Sequence, residues 1–217
     1  ITVSGDNSTR INVDLGDGND SFNASDATNF NNLDAERSFV RGGKGDDTLL
    51  GNDNNNLFYG DEDNDSIDGG NGDNQLHGDA GNDSLVSGSG DDFLYGGGNN
   101  DILNAGGGND VIYGGYSYSA KGDDGSVDTA VFSGTSNDYK VFRATDSTFG
   151  YVYYIQDTRE DSPDGLDTLY DIDKLKFSNG EFDLAAYYSD QEKGSEDDDV
   201  LIGTSGDDLI EGFGGND

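Results

Sequence analysis

From Gly42 to Tyr113 the chain divides without a gap into eight nonapeptides: GGKGDDTLL, GNDNNNLFY, GDEDNDSID, GGNGDNQLH, GDAGNDSLV, SGSGDDFLY, GGGNNDILN and AGGGNDVIY. No other feature constrains the fold as tightly, because most columns of this grid admit only one kind of residue. The eighth position is apolar throughout, as Leu49, Phe58, Ile67, Leu76, Leu85, Leu94, Leu103 and Ile112. The sixth is Asp in six units and Asn in two. The second and fourth hold only Gly, Asn or Asp, the residues that tolerate a left-handed backbone.

A physical constraint accounts for these columns. One apolar residue between two outward ones makes a very short strand with a single side chain facing in. Six turn-forming residues then reverse the chain, so two units complete one coil. Like strands stack at the parallel-sheet spacing of roughly 4.8 Å. One inward residue in nine cannot hold a coil alone, and stacking has to supply the core. The expected fold is all-β, a solenoid with a thin apolar ladder between two facing sheets.

The turns predict a binding chemistry. Left-handed residues at Gly43, Gly45, Asp61, Asp63, Asp79, Gly81, Gly88, Gly90, Gly97, Asn99, Gly106 and Gly108 would aim carbonyl oxygens into a pocket. The sixth-position carboxylates of Asp47, Asp65, Asp83, Asp92, Asp101 and Asp110 would join them. Turns on one edge lie 18 residues apart in sequence and one layer apart in space, leaving an all-oxygen cage between them. A flexible, anionic oxygen cage selects calcium over zinc or copper, and magnesium demands tighter octahedral geometry.

The units resemble the consensus G-G-x-G-x-D-x-U-x of RTX repeats, the repeats-in-toxin family. The resemblance covers residues 42–113 and, through GSEDDDVLI, GTSGDDLIE and GFGGND, residues 194–217. It implies a right-handed parallel β-roll that binds several calcium ions in its turns. Such rolls occur in secreted bacterial toxins, proteases, lipases and giant adhesins. It also implies export of the unfolded chain through a type I channel, with folding outside the cell where calcium is abundant.

The two edges of the expected roll are not alike. One carries Asp47, Asp65, Asp83 and Asp101 in the sixth position, and the other Asn56, Asn74, Asp92 and Asp110. Asn offers one neutral oxygen, so the site between Asn56 and Asn74 should be weak or empty. Calcium should fill the first edge and gather near Asp92 and Asp110 on the second. The outward positions of the even units set Tyr59, His77, Tyr95 and Tyr113 in a column, one ring per layer. Such a column fits packing beneath a following segment, or a stacking surface for a glycan or peptide. His77 is the only histidine and has no cysteine to join it, so it belongs with that column rather than with a catalytic or metal site.

Four segments follow from these patterns: a partial repeat and an irregular stretch (1–41), the roll (42–126), a small antiparallel β capping module (127–190) and the start of a second repeat block (191–217). VDLGDGNDSFNAS places Asp20 in a sixth position and Phe22 in an eighth, after which NNLDAERSFV fits a short helix or a loop. From Val127 the period changes to alternation. DTLYDIDKLKFSNG resembles the module that closes many RTX rolls, which implies a cap over the open end. The acidic loop of Asp157, Glu160, Asp161, Asp164 and Asp167 is either solvated or a further calcium site. Asp199 and Asp208 restart the sixth-position column.

Composition sharpens the functional reading. With 46 acidic and 11 basic residues the chain carries a formal charge of -35. That balance excludes nucleic acid and anionic membranes as partners, which need basic patches, and favours cations. No apolar run is long enough to enter a bilayer. There is no cysteine, so no disulfide framework or thiolate metal site. No nucleophile elbow, Ser–His pair or phosphate-loop Lys is present, and no enzyme is expected. The chain opens without Met and stops inside a motif, as a piece of a longer secreted or cell-surface protein would. Its expected role is a calcium-gated folding and spacer module of an adhesin, in contact with other domains of the same parent chain. The alternatives are a glycan- or peptide-binding module and the secretion half of an exoenzyme or toxin.

Overall fold

The structure is a computed structural model, and it describes residues 12–25, 39–115, 125–146 and 150–192, the side chains of 189–192 excepted. Through the repeats the strands are β1 (Asn12–Asp17), β2 (Ser21–Asn23), β3 (Phe39–Lys44), β4 (Thr48–Leu50), β5 (Leu57–Glu62), β6 (Ser66–Asp68), β7 (Gln75–Ala80), β8 (Ser84–Val86), β9 (Phe93–Gly98), β10 (Ile102–Asn104) and β11 (Val111–Tyr113). Beyond them follow β12 (Thr129–Val131), β13 (Tyr139–Asp146), β14 (Gly150–Asp157), β15 (Leu166–Tyr170), β16 (Lys174–Phe177), β17 (Gly180–Asp183) and the helix α1 (Leu184–Glu192).

Alternate strands fall into two sheets, as a two-unit coil requires. One sheet runs β1-β3-β5-β7-β9-β11-β15-β14-β13, and the other β17-β16-β12-β10-β8-β6-β4-β2. Register is set by the eighth position. Val40, Phe58, Leu76, Leu94 and Ile112 lie opposite one another in the first sheet. Phe22, Leu49, Ile67, Leu85 and Leu103 do so in the second. The two columns form one continuous core, in which Phe58, Leu76, Leu85, Leu94 and Leu103 are fully buried. Each such side chain is worth about 1.5–3 kcal/mol relative to exposure.

The turns adopt the backbone that their composition predicts. Gly43, Gly45, Asp61, Asp63, Asp79, Gly81, Gly88, Gly90, Gly97, Asn99, Gly106 and Gly108 all have positive φ. Asp61 at +80° and Asp79 at +72° do so with a side chain, an arrangement Asp tolerates better than most residues. The turn of GNDNNNLFY departs from the pattern, since neither Asn52 nor Asn54 takes up positive φ. There Asn52 Oδ1 accepts the Asn54 N–H at 2.9 Å, a local turn that competes with the left-handed conformation.

The antiparallel part beyond the repeats is smaller than the expected 127–190 module. β12, β15 and β16 continue the two parallel sheets, β15 beside β11, β12 beside β10 and β16 beside β12. Their Leu169, Ala130 and Leu175 extend the two core columns. Only β13 with β14, β14 with β15, and β16 with β17 are antiparallel. The cause is that a D-x-U triplet, here DTA, DTL and DKL, suffices to form one rung even when the nine-residue spacing is lost. Phe132, Phe177, Phe182, Tyr139 and Tyr187 then close this end of the core, and Leu184 of α1 is buried with them. Of NNLDAERSFV, Phe39 and Val40 begin β3, and the rest lies outside the described residues. Asp199, Asp208 and the whole second repeat block also lie outside them.

Candidate metal centre

Along each edge of the roll the sixth-position residues form a hydrogen-bonded column. The backbone N–H of each donates to Oδ1 of the one a coil further on. On the odd edge the bonds run from Asp20 to Asp47 (2.7 Å), Asp47 to Asp65 (2.8 Å), Asp65 to Asp83 (2.8 Å) and Asp83 to Asp101 (2.8 Å). The column then passes into the cap, from Asp101 to Asp128 (2.8 Å) and from Asp128 to Asp173 Oδ2 (3.0 Å). On the even edge it runs from Asn56 to Asn74 (2.9 Å), Asn74 to Asp92 (2.6 Å), Asp92 to Asp110 (2.8 Å) and Asp110 to Asp167 (2.9 Å). This geometry requires a side-chain acceptor at the sixth position, which explains why the column accepts Asn as well as Asp.

The second carboxylate oxygen is in a different state. Oδ2 of Asp47, Asp65, Asp83, Asp92 and Asp110 is buried and accepts no hydrogen bond. A buried acceptor left without a partner costs about 1–3 kcal/mol, and a charged one more. A backbone carbonyl stands close beside it. A methyl group built on Gly60 would strike Asp65 Oδ2 and come within 2.7 Å of the Gly78 carbonyl oxygen. Gly42 stands in the same relation to Asp47 and Gly60 O (2.8 Å), and Gly78 to Asp83 and Gly96 O (2.6 Å). At Asp47, Asp65 and Asp83 the carboxylate oxygen and the carbonyl face one space, and a first-position glycine keeps that space open.

The electrostatics agree. Burial, followed by the charges of Asp83 and Asp47, pushes the Asp65 carboxyl up to about 7. Burial, then the Asp92 and Asp91 carboxylates, pushes Asp110 up to about 7. Asp83 and Asp92 rise to about 6, chiefly through burial. Asp167 rises to about 9 through burial and the adjoining charge of Asp110. Anions stacked in this way need a counter-charge. Among the described residues no cluster of three or more His, Asp or Glu side chains converges, so a cation here would be held by carboxylates together with backbone carbonyls. That donor set suits calcium.

A family model of the RTX calcium-binding nonapeptide repeat matches residues 38–67, 50–85, 59–94, 68–103, 86–116 and 193–217. This is an RTX-repeat chain. The family carries the statement that the roll is a calcium-binding module, and the unpartnered Oδ2 atoms supply the local chemistry. No curated protein matches the chain. No helix among the described residues is long and apolar enough to cross a membrane.

Residues outside the sixth-position and left-handed columns also shape these RTX turns. The fifth position holds Asp46, Asn55, Asn64, Asp73, Asn82, Asp91, Asn100 and Asn109. Its Oδ1 accepts from the fifth residue of the following coil, opposite in sense to the sixth-position column. Examples are Asn64 to Asp46 (3.0 Å), Asn82 to Asn64 (2.8 Å) and Asn109 to Asp91 (2.8 Å). The signal was present, because every one of the eight is Asp or Asn. Asp128 and Asp173 were also missed, although each stands two residues before a core side chain.

The acidic loop does not gather around one ion. Asp157 and Asp164 both pair with Arg159, at 2.7 and 3.1 Å. Tyr139 also hydrogen-bonds Asp164. Glu160 and Asp161 face solvent, and Asp167 joins the sixth-position column.

The aromatic column forms a continuous stack. Centroid separations are 4.5 Å from Tyr59 to His77, 4.5 Å from His77 to Tyr95 and 5.1 Å from Tyr95 to Tyr113, with Tyr170 of β15 a further 4.6 Å on. Arg41 lies over the Tyr59 ring at 4.8 Å. Tyr95 is 6% exposed and the other four rings are half-buried.

Proposed function

We propose that this module folds on calcium and serves as a structural spacer in an extracellular adhesin, reached by type I secretion of the unfolded chain. The observation that carries the proposal is the set of buried Oδ2 atoms on Asp47, Asp65, Asp83, Asp92 and Asp110 without a hydrogen-bond donor. When calcium is scarce these carboxylates repel across the layers and the Gly-rich turns have maximal conformational entropy to lose. When calcium is abundant, forming the cages and folding the chain become one event. Asp47, Asp65, Asp83, Asp92, Asp101 and Asp110 would hold the ions together with turn carbonyls, and Asp20 lies at the head of the odd column. The module is non-catalytic, since its buried carboxylates are arranged as stacked ligands rather than around a substrate space.

A calcium titration followed by far-UV circular dichroism and hydrodynamic radius, with magnesium as control, tests this. The expected result is a cooperative coil-to-β transition with compaction that magnesium does not reproduce. A chain already compact and β-rich in metal-free buffer at about pH 8, where protons cannot stand in for the metal, would sink the proposal, leaving the apolar columns and cap as sufficient for folding.

A further inference from the structure

Two sixth positions lack a carboxylate, and the surroundings of their amides differ from those of the Asp side chains. Asn56 Nδ2 donates to Gly69 O at 2.9 Å, to Asn52 O at 3.2 Å, to Asn54 O, and to Asn74 Oδ1 at 3.1 Å. Asn74 Nδ2 donates to Gly72 O at 2.8 Å, Ser87 O at 3.0 Å and Gly70 O at 3.3 Å, with Asn71 O at 3.5 Å. An amide NH₂ has only two hydrogens, yet each of these nitrogens is ringed by four oxygens.

The identity of those oxygens is informative. Gly69 O and Ser87 O are first-position carbonyls of the following coil, as is the Gly78 O that faces Asp65 Oδ2. Asn52 O with Asn54 O, and Gly70 O with Gly72 O, are second- and fourth-position carbonyls of the same turn. The electropositive NH₂ therefore sits where oxygens converge, and the first-position carbonyl that faces a carboxylate oxygen beside Asp47, Asp65 and Asp83 here faces a donor. Both side chains are buried, so a divalent ion could enter only by displacing the amide.

We infer that Asn56 and Asn74 are built-in replacements for two calcium ions, closing these two turns of the even edge without metal. The inference rests on the calcium-binding roll proposed above. It goes further than a weak site, because the amide nitrogen itself occupies the place where these oxygens converge and leaves no room for calcium. The turns that lead into β5 and β7 are then formed from the chain's own donors, while the facing edge at Asp47 and Asp65 still needs the ion.

The test is calcium stoichiometry by equilibrium dialysis on the full 217-residue chain, with folding followed by circular dichroism. Asn56→Asp and Asn74→Asp should each add one bound calcium, and the double variant two, while folding needs more calcium than in the wild type. The reverse change, Asp83→Asn, should lose one calcium and still fold, because the new amide can reach Gly96 O. A wild type that binds calcium beside Asp variants that add none would overturn this inference alone. An Asp83→Asn chain that fails to fold at saturating calcium would overturn it too. If wild type and variants alike bind no calcium, the calcium-folding proposal falls and takes this inference with it.

Discussion

Glycine has two separate duties in these turns, and they respond differently to substitution. At second and fourth positions it supplies positive φ, a duty that Asp61, Asp79 and Asn99 share. At first positions such as Gly60 the backbone is not left-handed, and the need is for space between a carboxylate and the next coil's carbonyl. With ordinary surroundings, Gly→Ala at such a backbone would stabilise by about 0.4–1 kcal/mol through the unfolded chain. Here the Cβ meets Asp65 Oδ2, which can move, and Gly78 O at 2.7 Å, which is backbone and cannot move cheaply. Gly60→Ala should therefore cost about 1–3 kcal/mol, the range typical of overpacking. It should also raise the calcium concentration needed for folding. Urea unfolding at saturating calcium, compared with the calcium midpoint, measures both; an unchanged or raised stability would show that the space holds nothing.

At the scale of the strands, the outward aromatic column ties five layers of one sheet together, from Tyr59 in β5 to Tyr170 in β15. His77 is its one titratable member near neutrality. Burial between Tyr59 and Tyr95, and then the charge of Arg41, lower its pKa to about 4. A histidine depressed in the fold contributes stability that is complete above its unfolded value near 6.5. That contribution is lost as pH falls toward 4, and the whole is up to about 3 kcal/mol. His77→Phe keeps the ring and removes the proton, so its stability relative to wild type should rise as pH drops from about 6.5 to 4. Denaturant melts of the two proteins across that range check this, and a constant difference would mean that His77 protonates freely in the fold. The two edges and the core rungs were legible in the nonapeptides because they rest on the sixth and eighth positions, each repeated eight times, and the aromatic column because it rests on the ninth position of the four even units. The fifth-position ladder was hidden because Asp and Asn there look like ordinary turn composition, although their Oδ1 atoms stitch successive coils. The rungs at Ala130, Leu169 and Leu175 escaped for another reason. Their spacing is irregular, and only backbone pairing reveals that β12, β15 and β16 belong to the parallel sheets. The role of Asn56 and Asn74 was half visible: the missing charge could be read, but not the four oxygens around each amide.

For the whole molecule, the question is how a chain of formal charge -35 can bury two columns of carboxyl groups. Without a cation, protons are the alternative. Asp65 and Asp110 are pushed to about 7, Asp83 and Asp92 to about 6, and Asp167 to about 9, in each case first by burial. Their unfolded values lie near 3.9. The metal-free folded state therefore binds more protons than the unfolded chain above roughly pH 4, and its stability falls as pH rises from about 4 through about 7, with Asp167 extending the fall to about 9. His77 acts in the opposite sense over the lower part of this window, but one imidazole stands against five carboxyls. Acid should thus stand in for calcium in part, with more β-structure in metal-free buffer at about pH 5 than at about pH 8. Calcium must displace the same protons, so its apparent affinity should rise with pH across this window and its uptake should acidify a weakly buffered solution. Circular dichroism in metal-free buffer, with proton release recorded during calcium addition near neutral pH, measures both halves. Structure that instead grew from pH 5 to 8, or calcium uptake without proton release, would mean that the columns are already ionised and tolerated without the metal.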